Sequence, residues 1–341
     1  YLGSLAKTLG IETLLSSVRC GLEMALLSLA SQVVGRPIHQ AMVENAFNEA
    51  KGSAVGPMLP LNGLITRGNS PTEISFGVDA SNKYTSWKVK VGHKSAEDDA
   101  MAISYAFQTS QSSNEERARM VRADANRGFN TTSALDFAKA LKEIDGEAFD
   151  SLEYVEEPLE RLDAVELTGE WSLAKQVEGL ENWYNQTSIH YALDESISDL
   201  VELYSGDYES VLRDLRKVFP TARGCAAFVL KPSLLGLEFC LRLARVAKQE
   251  FGIGAVFTSS FDSGVGLSYA AFLGSLSDSI LAKPGAKIYP HGLGTFHMLA
   301  EDCLSPSFGS YVNDNGLLNV ASLSRAFYGL GLDCLLYTSP S

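Results

Sequence analysis

The chain has 341 residues, of which 45% are hydrophobic and 20% charged, and its formal net charge is −13. This composition predicts a folded globular protein with a sizeable core. The acidic excess argues against a nucleic-acid partner and against binding to an anionic membrane surface, because both require a basic face. An anionic small substrate is still compatible with this charge, since a bound cation reverses the local field.

The five cysteines are widely separated and form no CxxC pair. They are therefore predicted to be reduced thiols in a reducing compartment. No apolar run reaches the ~18–20 residues that a membrane span needs, and the N-terminus shows no targeting segment. The chain is expected to be soluble, without a membrane partner.

The predicted elements begin with an amphipathic helix over residues 11–31, in which leucines and a valine recur at helical spacing. Short apolar strands then alternate with amphipathic helices, which include 132–144 and 236–250. Alternation of this kind predicts βαβ units and a parallel sheet, closed into a β/α barrel, with an open doubly wound sheet as the alternative. The predicted strands are 61–65, 87–91, 120–124, 152–156, 190–194, 226–231 and 255–259, and an eighth is expected before the loop 291–295.

Five successive strands end in charged side chains, although buried parallel strands are expected to be apolar. The strands are regularly spaced, so their carboxyl ends meet at one rim, where β/α barrels build active sites. The charged residues are, in chain order, Lys88 and Lys90, Arg122 and Asp124, Glu156, Asp194, and Lys231.

The acids Asp124, Glu156 and Asp194 would supply three carboxylates from neighbouring strands. Hard oxygen ligands of this kind favour Mg²⁺. The alternative is that each acid caps the helix that follows its strand, a common role for aspartate.

The lysines Lys88 and Lys90 are two residues apart on a strand and therefore point to the same side. Two ammonium groups near a divalent cation are expected to lower each other's pKa, which makes one of them available as a general base. The alternative is a pair of solvated lysines on an edge strand. Lys231 would approach from the opposite side, as a second acid/base group or as a fixed positive charge.

Small hydroxyl side chains end the seventh predicted strand. Thr258 and Ser260 are predicted to point inward together and to hold a substrate carboxylate, with a simple Ser/Gly turn as the alternative. Gly292, in the glycine-rich loop 291–295, is a further candidate for substrate contact. Apart from His291, which begins this loop, the histidines show no ligand spacing and are treated as structural. They are His39, His93, His190 and His297.

The chain resembles the enolase superfamily in its short motifs and, within it, the o-succinylbenzoate synthases. The motifs are KVKVG, RADANRGF, YVEEP, ALDES, VLKPSLLG, TSSFDSGVGL and HGLGT, and the resemblance covers roughly residues 10–310. It implies a (β/α)7β barrel of the TIM type with a partial N-terminal capping domain. The implied activity is that of a carbon–oxygen lyase of menaquinone and phylloquinone biosynthesis. It would dehydrate 2-succinyl-6-hydroxy-2,4-cyclohexadiene-1-carboxylate in the syn sense to 2-succinylbenzoate, with Mg²⁺ stabilising an enediolate and Mn²⁺ as a substitute.

The resemblance also implies a role for each candidate residue. Asp124, Glu156 and Asp194 match the metal ligands, Lys90 the acid/base lysine, and Lys88 its partner near the substrate carboxylate. Lys231 matches the lysine across the barrel. The residues that match substrate-contacting or site-ordering positions are Arg122, Asn126, Thr258 and Ser260.

Four segments are expected from this resemblance. They are a helical remnant of the capping domain (1–57), the catalytic barrel (58–300), a segment that packs back on the cap (301–333) and a non-native tail (334–341). Because only part of the cap is recognised, the pocket is expected to close less completely than with a whole cap. The stretch 291–302 most resembles the synthase domain of multifunctional proteins of plants and algae. Fusion to other enzymes of the pathway is expected, with a plastid location in a plant or alga and a cytoplasmic one otherwise.

Two other functions are compatible with the same residues. One is racemisation of N-acylamino acids or epimerisation of dipeptides within the same superfamily, although the DxD motif usual in the epimerases is missing from 289–294. The other is a non-catalytic module of a larger polypeptide. The retention of all the charged positions of the site argues against this second function.

Overall fold

The computed structural model describes residues 8, 15–40, 42, 58–67, 74–76, 84–111, 120–162, 171–281 and 287–329. The strands are β1 Met58–Pro60, β2 Gly63–Arg67, β3 Ile74–Phe76, β4 Ser86–Lys90, β5 Met120–Asp124, β6 Leu152–Glu156, β7 Tyr191–Leu193, β8 Cys225–Leu230, β9 Gly254–Phe257 and β10 Leu317–Asn319. The α-helices are α1 Ser16–Val34, α2 Ala96–Gln111, α3 Thr131–Ile144, α4 Gly146–Asp150, α5 Leu173–Thr187, α6 Glu195–Leu203, α7 Tyr208–Val218, α8 Pro232–Leu235, α9 Leu237–Arg245, α10 Gly264–Leu276 and α11 Val320–Gly329.

The chain divides into two compact units. The terminal unit comprises Tyr1–Leu61 and Leu230–Ser341, and the central unit comprises Asn62–Val229. Within the central unit the strand order is β3-β2-β4-β5-β6-β7-β8. All of these neighbours pair in parallel except β2 and β3, which are antiparallel. The prediction of an α/β fold built on βαβ units and a parallel sheet is therefore confirmed.

The strands of the central unit form because their side chains are buried on both faces, as parallel sheets require. β6 is buried along its whole length, and Val89, Val121 and Ala123 on the neighbouring strands are fully buried. The connecting helices begin at polar caps. The Asn130 side chain, for example, accepts a hydrogen bond at 2.9 Å from the Ser133 N–H at the start of α3.

The loops that follow β4 and β5 are in backbone contact. A Cβ atom on Gly128 would lie 2.3 Å from the carbonyl oxygen of Gly92, which has a φ of +86°. The Gly92 N–H donates to Asp99 at 2.7 Å. Only glycine allows both the left-handed backbone and this close approach, so these two glycines define the loops beside the strand ends.

The terminal unit is built around helix α10, which is buried along its length, and a short antiparallel pair of β1 with β10. Helix α1 attaches to this unit through Glu23, whose carboxylate accepts hydrogen bonds from the Arg19 side chain at 3.0 Å and from the Leu237 N–H at 2.5 Å. Glu23 therefore satisfies a free amide at the start of α9.

Helix α1 confirms the predicted N-terminal helix, with residues 11–14 outside the described ranges. The expectation that its apolar residues are buried is wrong, because Leu15, Leu29 and other apolar residues at that helical spacing are exposed. The buried side instead carries Arg19 and Glu23, which neutralise each other. None of the helices in the described ranges has the length and apolar content that crossing a membrane requires.

Strands 120–124 and 152–156 are confirmed at both ends, and the other predicted strands overlap the observed ones with shifted boundaries. The predicted helical stretch 236–250 is confirmed, with α9 continuing directly into a π-helix at Val246–Phe251. Within that π-helix Lys248 is buried and pairs with Asp278 at 2.6 Å. The eighth strand expected before residue 291 lies partly in 282–286, outside the described residues; residues 287–290 form no strand, and His291 and Gly292 form isolated bridges. The tail 334–341 lies outside the described residues.

Candidate active site

Lys88 and Lys90 end strand β4 on the same side of the sheet, as alternation predicted. The intervening side chain, Val89, and the preceding one, Trp87, are fully buried on the opposite side. The Lys88 side chain is 15% exposed and that of Lys90 is 42% exposed. The two lysines thus differ in access to solvent, with Lys90 nearer the strand end.

Asp124, at the end of β5, lies between the two lysines. Its Oδ2 atom accepts from Lys88 Nζ at 2.7 Å and from Lys90 Nζ at 2.7 Å. Burial alone would raise the pKa of Asp124, but the two ammonium groups outweigh it and hold that pKa at about 2. Asp124 is therefore a carboxylate at neutral pH.

Glu156 and Asp194 end the next two strands and are also buried. Glu156 accepts from Lys88 Nζ at 3.3 Å. Burial, together with the charges of Asp124 and Asp194, raises the pKa of Glu156 well above its usual range. A hydrogen bond between Glu156 and Asp194 contributes to the same shift and requires a proton on one of the two carboxyls.

These three acids fit a cation by their chemistry, because buried carboxylates this close repel one another unless a proton or a positive charge is shared between them. In the described part of the chain, no three Asp, Glu, His or Cys side chains are already arranged around a common metal position. Asp124 and Glu156 instead face the ammonium of Lys88. A metal would therefore have to draw their carboxylates away from the lysines.

Helix capping does not account for Asp194. This residue precedes α6, but its side chain makes no capping hydrogen bond. Glu157 supplies that function instead, since its Oε1 atom accepts from the N–H groups of Asp194 at 2.9 Å and Ser196 at 2.7 Å. The carboxylate of Asp194 is thus left to face Glu156.

The pKa of Lys88 is not lowered, contrary to the expectation for the lysine pair. Burial by itself lowers the pKa of its ammonium, but the carboxylates of Asp124, Glu156 and Asp194 raise that pKa well above the usual lysine range. The predicted lowering assumed a divalent cation beside the lysine. With carboxylates alone, the sign of the electrostatic effect is reversed.

Arg122 and Asn126 lie on either side of Asp124 in sequence and have different surroundings. Arg122 is buried; its Nε donates to Glu153 at 2.7 Å and its Nη1 to Asn62 at 3.2 Å. Asn126 accepts a short hydrogen bond from Lys90 Nζ. Arg122 is therefore placed to order the interior of the unit, and Asn126 to contact the lysine directly.

A second buried network, which the sequence did not reveal, connects the loops behind these residues. Glu157 is fully buried, and its Oε2 atom accepts from Ser196 Oγ at 2.9 Å and from Arg127 Nε at 3.4 Å. Asn126, Arg127 and Glu157 have φ values of 42°, 61° and 41°. Left-handed backbone at non-glycine residues is strained and is often found at functional sites. In the sequence, the only indication of this network was the second glutamate of the EEP motif, Glu157.

The other candidate residues belong to the terminal unit. Lys231 follows β8 and is half-buried. Thr258 is buried and donates from its hydroxyl to the Gly292 carbonyl at 3.0 Å, whereas Ser260 is exposed. β9 ends at Phe257, so strand alternation does not extend to these hydroxyls. Thr258 and Gly292 are brought together, and the predicted common orientation of Thr258 and Ser260 is wrong.

A buried histidine supports this segment. The Phe257 N–H donates to His291 Nδ1 at 2.9 Å, and His291 Nε2 lies 3.1 Å from Asp278, which pairs with Lys248. Because Nδ1 accepts, Nε2 carries the proton and donates to Asp278. A Cβ on Gly274 would lie 3.0 Å from the ring, so glycine there makes room for the imidazole. The sequence suggested only a glycine-rich loop at this place.

No protein-family model matches the chain. The chain is 28% identical over 311 residues to Protein PHYLLO, chloroplastic, from Arabidopsis thaliana; the match covers 88% of this chain and 16% of the Arabidopsis protein. It is 32% identical over 154 residues to o-succinylbenzoate synthase from Aliivibrio fischeri (strain MJ11), covering 45% of this chain and 37% of that protein. The matches thus span well under half the length of either relative.

Solved structures show the same fold. A mandelate racemase/muconate lactonizing protein from Herpetosiphon aurantiacus matches with a TM-score of 0.66 and 20% identity over 93% of this chain and 75% of that chain. A dipeptide epimerase from Cytophaga hutchinsonii, complexed with Mg and a dipeptide, matches with a TM-score of 0.60 and 19% identity over 89% of this chain and 67% of that one. The chain therefore has the fold of the enolase superfamily, and its sequence is similar to that of o-succinylbenzoate synthase.

Proposed function

We propose that the chain is an o-succinylbenzoate synthase that requires Mg²⁺. The observation that carries the proposal is the shared position of Asp124, whose carboxylate lies between two lysines while two further buried acids lie beside it. A base, its charged partner and the ligands of a cation are thereby gathered at the ends of adjacent strands. The sequence similarity to o-succinylbenzoate synthase supports this choice of reaction.

Asp124, Glu156 and Asp194 are the residues that would hold the cation, since oxygen ligands favour Mg²⁺. The Mg-bound epimerase of the same fold supports this choice. When bound, Mg²⁺ supplies positive charge that stabilises the anion formed by proton loss and favours the neutral form of a nearby amine. The ammonium of Lys88, which contacts both Asp124 and Glu156, also places positive charge beside these acids.

The chemistry assigned to the chain itself is proton transfer by Lys90. Its neutral amine takes the proton alpha to the substrate carboxylate, and the C–H electron pair passes into the ring system. The C–O bond then breaks, and the departing hydroxide takes the proton back from the Lys90 ammonium as water. The ring becomes aromatic, so atoms and charge balance without a further reactant.

Lys88 contributes a fixed positive charge beside this centre. It is more buried than Lys90 and is bonded to both Asp124 and Glu156, which holds its ammonium in place. We infer that it binds the carboxylate of an anionic substrate and orients it for Lys90. Lys231, Thr258 and Gly292 are proposed as further substrate contacts.

The test is turnover of 2-succinyl-6-hydroxy-2,4-cyclohexadiene-1-carboxylate by the purified chain with Mg²⁺, with 2-succinylbenzoate identified by mass spectrometry. Asp194→Asn should abolish turnover. Asp214→Asn is the matched control, because Asp214 lies on helix α7, outside this cluster, where it pairs with Lys217 and accepts a hydrogen bond from Tyr204. Absence of dehydration by the wild-type chain would refute the proposal.

The same preparation should also be offered dipeptides and N-acylamino acids. Faster epimerisation or racemisation than dehydration would assign the site to those reactions instead. No turnover of any of these substrates, with Mg²⁺ bound, would favour a non-catalytic module.

A further inference from the structure

We propose that Glu195 is a positioning residue for the acid/base lysine and that it acts through the side-chain amide of Asn126. The inference rests on the proposed function, because it assigns Lys90 to proton transfer. It gives a role to the glutamate of the ALDES motif, which is not among the proposed metal ligands.

A chain of hydrogen bonds connects Lys90 to Glu195. Lys90 Nζ donates to Asn126 Oδ1, and Asn126 Nδ2 donates to Glu195 Oε1 at 2.8 Å. Lys90 Nζ also donates to Asp124 Oδ2 at 2.7 Å. The ammonium is thereby held between a carboxylate and an amide oxygen whose own position depends on Glu195.

The charges at the two ends fix the orientation of this amide. Glu195, as a carboxylate, can only accept, and the Lys90 ammonium can only donate. Turning the Asn126 amide by 180° would place its NH2 group against the ammonium and its oxygen against the carboxylate, so that both contacts would become repulsive. Glu195 therefore keeps an acceptor pointed at Lys90.

The place of Glu195 supports this role over a purely structural one. It is the first residue of α6, immediately after Asp194. The free amides at this helix start are taken by Glu157, so Glu195 is not needed as the cap. Its second oxygen, Oε2, is buried and makes no hydrogen bond within the described part of the chain. Glu195 itself is half-buried, but a buried carboxylate oxygen without a hydrogen bond costs free energy, which points to a function for the contact with Asn126.

The main experiment is the substitution Glu195→Gln. A glutamine side chain presents both a donor and an acceptor, so it tolerates either orientation of the Asn126 amide. Misplacement of Lys90 by about 1 Å should lower kcat by about 10- to 100-fold. KM and the Mg²⁺ dissociation constant should stay within about threefold of wild type, because the metal ligands and Lys88 are untouched.

Two further variants separate this route from others. Glu202→Gln lies on the same helix, is exposed and should leave kcat unchanged. The double variant Asn126→Ala, Glu195→Gln should be no slower than Asn126→Ala alone, because Glu195 acts only through that amide. The proposal would be overturned if the kcat losses of the two single variants multiplied in the double variant. An unchanged kcat or a loss of Mg²⁺ affinity in Glu195→Gln would also overturn it.

A crystal structure of the Glu195→Gln variant gives a readout that does not depend on substrate. Lys90 Nζ should lose its contact with Asn126 or occupy more than one position. An unchanged Lys90–Asn126 contact would refute the inference even if the enzyme is active. If the wild-type chain does not dehydrate the proposed substrate, the proposed function fails, while this structural comparison still decides the role of Glu195.

Discussion

Asp124 differs from the other two predicted ligands in its partners. It accepts from both lysines at 2.7 Å, whereas Glu156 accepts from Lys88 at 3.3 Å or more and is also hydrogen-bonded to Asp194. The two ammonium groups outweigh burial and lower the pKa of Asp124, whereas burial and the charges of Asp124 and Asp194 raise the pKa of Glu156. Within one cluster the negative charge is thus concentrated next to Lys90, the residue assigned to proton transfer.

We predict that Lys90→Ala and Lys88→Ala have different kinetic effects. Loss of Lys90 should lower kcat by about 10⁴-fold, the upper end for general acid–base catalysis, with little change in KM. Loss of Lys88 should lower kcat and also raise KM. It should lower the melting temperature of the metal-free protein as well, since Asp124 and Glu156 lose the ammonium group that contacts both of them.

The measurement is exchange of the alpha proton of an unreactive substrate analogue in deuterated water. The assignment would be reversed if Lys90→Ala exchanged that proton at the wild-type rate while Lys88→Ala did not. Lys139→Ala is a suitable control, because Lys139 is 74% exposed and makes only a weak surface pair.

Glu157 offers a second test at the level of single residues. Glu157→Ala removes the acceptor of two backbone amides and of Arg127, all within a buried network. We expect a loss of about 3–5 kcal/mol in the free energy of unfolding and weaker Mg²⁺ binding, because the backbone of Asp194 is no longer held. Urea unfolding checks the first effect and calorimetric titration with Mg²⁺ the second. The exposed neighbour Glu160, changed to alanine, should show neither effect.

Among the elements, the parallel strands of the central unit were the easiest to predict from sequence. Strands β5 and β6 were placed at both ends because an apolar run is closed by a charged residue in each. The gathering of Lys88, Lys90, Asp124 and Glu156 follows from that register alone. Strand spacing therefore predicted which charged groups meet in this unit.

The contacts between loops were not predictable in the same way. Whether Glu157 reaches the amides of Asp194 and Ser196 depends on left-handed backbone at Glu157, which no residue spacing reveals. The isolated bridges at His291 and Gly292 were not predicted for a related reason, since His291 is fixed by its side chain rather than by a strand ladder. Side-chain contacts to backbone groups thus decided the parts of the structure that periodicity could not.

The Asp278–His291 contact should stabilise the terminal unit in a pH-dependent way. Burial opposes ionisation of Asp278, but His291 and Lys248 outweigh it and lower the pKa of Asp278. A lowered folded-state pKa means that the stabilisation is complete above the unfolded value of about 3.9 and is lost as pH falls through the folded value. Asp278→Asn should therefore cost about 3–5 kcal/mol at pH 7 and the same at pH 6.

Urea unfolding of the wild type and the variant checks this prediction. The gap between them should narrow only below about pH 4, where the wild-type carboxylate takes up its proton. Asp214→Asn, which alters a partly exposed pair with Lys217 and a hydrogen bond from Tyr204, should cost no more than about 1 kcal/mol. A gap between wild type and Asp278→Asn that narrows between pH 7 and pH 6 would contradict the assignment to Asp278.

At the scale of the whole molecule, the charge of −13 and the buried acids affect stability together. An acidic protein is destabilised by its own repulsion, and any salt reduces that repulsion by screening. Stabilisation by a divalent cation therefore has a general part and a part that belongs to the site. Only the second part reports on Asp124, Glu156 and Asp194.

We predict that Mg²⁺ raises the melting temperature beyond the effect of NaCl at equal ionic strength. A ligand at about 100 times its dissociation constant stabilises the folded state by about 2.7 kcal/mol, which for a chain of this size corresponds to a rise of a few degrees. In Asp194→Asn the specific rise should vanish. Its metal-free form should be no less stable than wild type, because one of the mutually repelling carboxylates is gone. Differential scanning fluorimetry with Asp214→Asn as control measures both effects, and an undiminished rise in Asp194→Asn would place the cation elsewhere.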